Sequence, residues 1–173
     1  MEAFNHEGKG GASPDLPSGG LEVALRIGRR DAESRRGFCA IDRSRPGRTL
    51  IVLGEQFAPG GAINAIWDVA WPLAIEWAAR APGDPAQWMP DLDRAAASHP
   101  GTDFLELFLG DYDENTRVLA YLGAGLDPPL LRRAGGVLEN LPGPGVPLGT
   151  GERFPWESHT LSLHPGDLLV ALL

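Results

Sequence analysis

A chain of 173 residues is long enough for one domain with a buried core and too short for two comfortable ones. Apolar residues make up 43%, ordinary for a globular protein, and a net charge of −8 argues against nucleic acid or an anionic membrane surface as partner. No apolar run approaches the ~20 residues of a membrane helix, Met1–Gly20 lacks the apolar centre of a signal peptide, and the single cysteine, Cys39, excludes an internal disulfide, so the cytoplasm is the expected location.

Residues 1–19 are polar and rich in Gly, Ser and Pro, and read as a disordered tail or linker ahead of a domain over 20–173. Leu21, Val23, Leu25 and Ile27 alternate with Glu22, Ala24 and Arg26, the period of a half-buried strand. The charged stretch Arg29–Arg36 reads as a loop, Gly37–Asp42 as a second strand and Arg45-Pro46-Gly47-Arg48 as a turn. Thr49–Gly54 is a strand whose apolar run Leu50-Ile51-Val52-Leu53 predicts burial on both faces. The period then changes. Ile63, Ile66, Trp67, Ala70, Ala74 and Trp77 fall at helical spacing and predict a helix over Gly60–Ala81, kinked at Pro72 and stopped by Pro82-Gly83-Asp84. A weaker helix over Pro85–His99 ends at Pro100-Gly101.

Strands return at Thr102–Leu109 and Arg117–Gly123, around a hairpin loop at Asp111–Thr116. Leu130–Arg133 and Val137–Leu141 flank an Ala134-Gly135-Gly136 turn, and Leu141–Thr150 is an irregular loop rich in Pro and Gly. Ser158–Leu163 alternates again, His164-Pro165-Gly166-Asp167 turns, and Leu168–Leu173 reads as a buried strand. Strands, two helices, then many hairpin-linked strands specify an α+β domain with mainly antiparallel sheet.

The strongest local signal is Leu50–Glu55 followed by Ala58-Pro59-Gly60-Gly61: a buried strand that delivers a carboxylate beside a glycine-rich turn. A metal or a phosphate fits such a place; a plain strand–loop–helix connection is the commoner explanation. His159 and His164, near Glu157 and Asp167, read as surface groups around a turn. Trp67, Trp71 and Trp77 cannot all share one helical face, which leaves room for an exposed Trp at an interface.

Four separated segments carry a resemblance. Phe104–Asp113, Arg117–Leu131, Gly145-Val146-Pro147-Leu148-Gly149 and His164-Pro165-Gly166-Asp167-Leu168-Leu169 are similar, in order and spacing, to the stage II sporulation protein E branch of the protein phosphatase 2C (PPM-type) family. The resemblance spans Leu21–Leu173. It implies two packed antiparallel β-sheets flanked by helices, an αββα sandwich. It also implies a site at one end of the sheets, where aspartates hold two Mn²⁺ or Mg²⁺ ions that activate a water against phosphoserine or phosphothreonine.

The family's Gly-Asp metal motif falls on Gly54-Glu55, and a glycine of many relatives falls on Gln56. The following Gly-x-Gly falls on Ala58-Pro59-Gly60. The upstream Gly-Asp falls near Arg36-Gly37, without its aspartate, and Asp42 takes that place only after a shift of register. The histidine of a Gly-His-Pro-Pro segment is matched by Leu126-Asp127, and the last Asp-Gly would lie past Leu173, so the domain is expected to lack its C-terminal part.

Glu55 and Asp42 are therefore the expected metal ligands, with Asp31 and Glu33 as further carboxylates, and Gly54, Gln56 and Gly60 mark a vestigial site loop. The resemblance implies a degenerate phosphatase, without a cofactor, that binds a protein partner in bacterial signalling: an anti-sigma-factor antagonist or another phosphoprotein. The alternatives are an active Mn- or Mg-dependent serine/threonine phosphatase and a structural or oligomerisation domain.

Overall fold

The computed structural model describes residues 35–57, 65–98, 104–143, 145–151 and 154–171. The expected tail over 1–19 and the expected strand at Leu21–Ile27 lie outside these residues.

Strands β1 (Arg35–Asp42) and β2 (Arg48–Phe57) form a hairpin, closed where the Arg48 N–H donates to the Arg45 carbonyl at 3.2 Å. Helix α1 (Ala65–Arg80) follows; it continues through Pro72, which sits on its exposed side. A 3₁₀ turn (Pro85–Trp88) leads directly into α2 (Met89–Ser98). The remaining strands are β3 (Phe104–Asp113), β4 (Val118–Ala124), β5 (Leu130–Arg132), β6 (Leu138–Asn140), β7 (His159–Ser162) and β8 (Leu168–Val170).

They make two sheets, one of five strands in the order β1-β2-β3-β4-β7 and one of three in the order β6-β5-β8, with every pairing antiparallel. The expected α+β sandwich of two antiparallel sheets is therefore present. Strand alternation splits the core into two layers. Leu50 and Val52 of β2 and Leu107 and Leu109 of β3 face α1 and α2, where they pack with Ala74, Ala78, Trp88 and Leu92. Leu53, Phe108, Leu119 and Tyr121 face the other way and meet Leu131 of the small sheet. The layers run helix, sheet, sheet. Among the described residues no helix lies on the outer face of the small sheet. None of the described helices is long and apolar enough to cross a membrane.

Two strands outrun their sequence limits. β2 continues to Phe57 and β3 to Asp113, because the two pair along ten positions, from Arg48↔Asp113 to Phe57↔Phe104. Asp111, read as a loop residue, is instead a fully buried strand residue, and the hairpin tightens to Glu114–Arg117. Asp113 Oδ1 holds that turn by accepting the Asn115 and Thr116 N–H groups at 2.9 and 3.1 Å. Arg117 takes a left-handed φ of 57° there.

Two of the three tryptophans do not offer the exposed face that their spacing allowed, and the Trp67 side chain lies outside what the structure describes. Trp71 and Trp77 are half-buried against the helix-side core, and the Trp77 indole N–H donates to Asp91 Oδ2 at 2.9 Å. Leu168, expected inside a buried strand, is 50% exposed.

Candidate functional site

Gly54, Glu55 and Gln56 sit near the end of β2, held between β1 on one side and β3 on the other. Gly54 faces the helices. A Cβ there would collide with the Phe38 ring and come within 2.6 Å of the Glu106 carbonyl oxygen and 2.7 Å of Leu107. Its lack of a side chain is thus a packing requirement of the sheet. Gln56 also faces the helices and is 2% exposed.

Glu55 points the other way, toward the space between the sheets, and is 8% exposed. Its cross-strand neighbours are Gly37 on β1 and Glu106 on β3. Residues directly opposite on antiparallel strands present side chains to the same face, so Glu55 and Glu106 lie side by side and Gly37 adds no side chain. One level further out, Phe57 and Phe104 stack with ring centroids 5.0 Å apart.

The Pro-Gly loop closes over this end. Leu148 and Leu105 exchange backbone hydrogen bonds of 2.9 and 2.8 Å, and the Gly145 N–H donates to the Gly123 carbonyl at 2.9 Å. Gly125 has φ 81°, and a Cβ on it would meet Pro147 Cγ at 2.7 Å and Glu106 Cγ at 2.9 Å, so Glu106, Gly125 and Pro147 form one wall. The loop is anchored at its far side by the Gly149 N–H, which donates to Asp93 Oδ1 of α2 at 2.8 Å.

Asp42 does not join Glu55. It pairs with Leu50, five positions along β1 from Gly37, which is about 17 Å at strand spacing. Five is odd, so Asp42 also emerges on the helix side of the sheet. Its oxygens serve its own turn, accepting the Ser44 N–H at 3.1 Å and the Ser44 hydroxyl at 2.9 Å. The expectation that Glu55 and Asp42 share a metal is thus corrected by strand periodicity. Gly60, Asp31 and Glu33 lie outside the described residues.

Glu106 is the carboxylate that sequence reasoning did not single out. Its signal was present: a lone acid within Phe-Leu-Glu-Leu-Phe-Leu, at the parity that faces the second sheet.

Two divalent ions need a convergent set of oxygen donors, several per ion. Among the described residues no group of three or more His, Cys, Asp and Glu side chains is arranged to hold a metal. Among the described residues, two adjacent glutamates beside a glycine supply fewer donors than a two-metal centre needs.

The opposite end of the same β2–β3 ladder carries an ionic cluster. Asp111 accepts Arg48 Nη2 at 2.7 Å, Arg45 Nη2 at 2.9 Å and the Gly83 N–H at 2.7 Å, while Arg45 Nη1 donates to the Ala78 carbonyl. Burial works to raise the Asp111 carboxyl, but the bonds from Arg48, the Gly83 N–H and Arg45 outweigh it and hold it below its ordinary value. This cluster ties the end of α1 to the sheet.

The stage II sporulation protein E (SpoIIE) family matches residues 73–172, more than half of the chain. No curated protein matches the chain by sequence. Solved structures do match by fold. A Mycobacterium tuberculosis protein with RsbU and RsbW domains is 21% identical over 82% of this chain and 39% of its own, with a TM-score of 0.63. The PP2C domain of SiaA from Pseudomonas aeruginosa is 20% identical over 78% of this chain and 54% of its own, at 0.62. The PP2C phosphatase domain of SpoIIE from Bacillus subtilis, solved with a fragment of its regulatory domain, is 17% identical over 77% of this chain and 39% of its own, at 0.61. At these identities the likeness is one of fold. The chain spans about half or less of each of these structures.

Proposed function

The chain belongs to the stage II sporulation protein E family, and from that premise we propose that it is a cytoplasmic signalling domain that binds a protein without hydrolysing phosphate. The observation that carries this reading is the Gly37–Glu55–Glu106 row. The family motif calls for an aspartate where β1 passes Glu55; this chain has a glycine, and the acid next along, Asp42, is directed to the other face. A phosphoryl group brought to two carboxylates without metal would be repelled, whereas metal would offset its charge.

The partner that suits this reading is a phosphorylated regulatory protein such as an anti-sigma-factor antagonist, held against the Pro-Gly loop and the hairpins around it. The solved relative that carries RsbU and RsbW domains in one chain supports a place in such signalling.

A second reading has its own observation. Glu55 and Glu106 are two carboxylates side by side, enough to begin a single Mn²⁺ or Mg²⁺ site if other carboxylates complete it. Hydrolysis of a phosphoserine peptide at millimolar Mn²⁺, compared between this chain and Glu55→Ala, separates the two. The binding reading predicts no turnover above background in either, with both folded by circular dichroism. Turnover that needs Mn²⁺ and disappears in Glu55→Ala would establish the enzyme instead.

A further inference from the structure

We draw no further inference here: the strongest candidate, the outer face of the small sheet, where Leu130, Leu138 and Leu168 stand exposed on β5, β6 and β8, carries nothing because nothing in the structure shows what covers it.

Discussion

The two ends of the β2–β3 ladder are built from the same ingredients with opposite results. At one end Arg48 lies opposite Asp113 and beside Asp111, and each charge meets its complement: Arg48 Nη1 reaches Asp113 Oδ2 at 3.1 Å and Arg48 Nη2 reaches Asp111 Oδ2 at 2.7 Å. At the other end Glu55 lies opposite Glu106, like beside like, with Gly37 completing the row. Matched charges hold a structure together, whereas like charges directly opposite one another on a sheet contribute nothing to each other. The first end is architecture, and the second is the end at which the sequence resemblance leads one to expect a site.

Substitutions should separate the ends sharply. Asp111→Ala leaves Arg45 and Arg48 without their shared acceptor and should cost about 3 kcal/mol in urea unfolding, at the low end for a buried pair because both arginines keep some solvent. Glu55→Gln keeps the size and the hydrogen-bonding oxygen of the side chain and should cost less than about 1 kcal/mol. Equal losses at the two positions would erase the distinction.

Acid should act on the architecture. The Asp111 carboxyl lies below its ordinary value for the reasons given above. Asp167 is pulled down to about 2, chiefly by the His164 N–H against the opposing effect of burial, with help from Arg133 and the Ala134 N–H. Both folded values are below the ~3.9 of an unfolded aspartate, so their stabilisation is complete above about pH 4 and is lost as pH falls from there toward 2. Urea midpoints from neutral pH down to ~4 should owe no loss to these two groups, and Asp111→Ala or Asp167→Asn should flatten the fall below that. An unchanged acid limb in both variants would contradict the assignment.

Gly54→Ala probes the packing between the ends. Its Cβ has no room against the Glu106 carbonyl and Leu107, so a loss of about 2 kcal/mol is expected, with the site acids untouched. The smallest effect is the most informative. Gly37→Asp sets a third carboxylate beside Glu55, and should cost about 1 kcal/mol without metal and recover it with millimolar Mn²⁺ in thermal unfolding. A parent chain that responds to Mn²⁺ as strongly as the variant would show that a metal site is already complete.

Much of the fold was legible because it is written in short-range patterns. The strand at Gly37–Asp42, the helical spacing through Ala70, Ala74 and Trp77, and the turns at Pro46-Gly47, Pro82-Gly83, Gly135-Gly136 and Pro165-Gly166 fall where the sequence places them. The extension of β3 through Asp111 was not legible, because a buried aspartate reads as a turn residue until two arginines from a distant hairpin are brought to it. The site was half legible. Glu55 announced itself by its place after a buried apolar run, but its neighbours depend on register. Register puts Glu106, 51 positions away, beside Glu55 and sends the nearer Asp42 to the opposite face and end. The exposed leucines of β6 and β8 show the same limit: a strand's sequence says that both faces want cover without saying what supplies it.

The central claim is that the Glu55 end does not assemble a two-metal centre, and calorimetric titration of the intact chain with Mn²⁺ tests it most directly. The account predicts no saturable binding of two equivalents, and the same heats from Glu55→Ala as from the parent. Two ions bound with micromolar affinity, and lost together in Glu55→Ala, would contradict it and make the domain a metal-dependent phosphatase in waiting for its substrate.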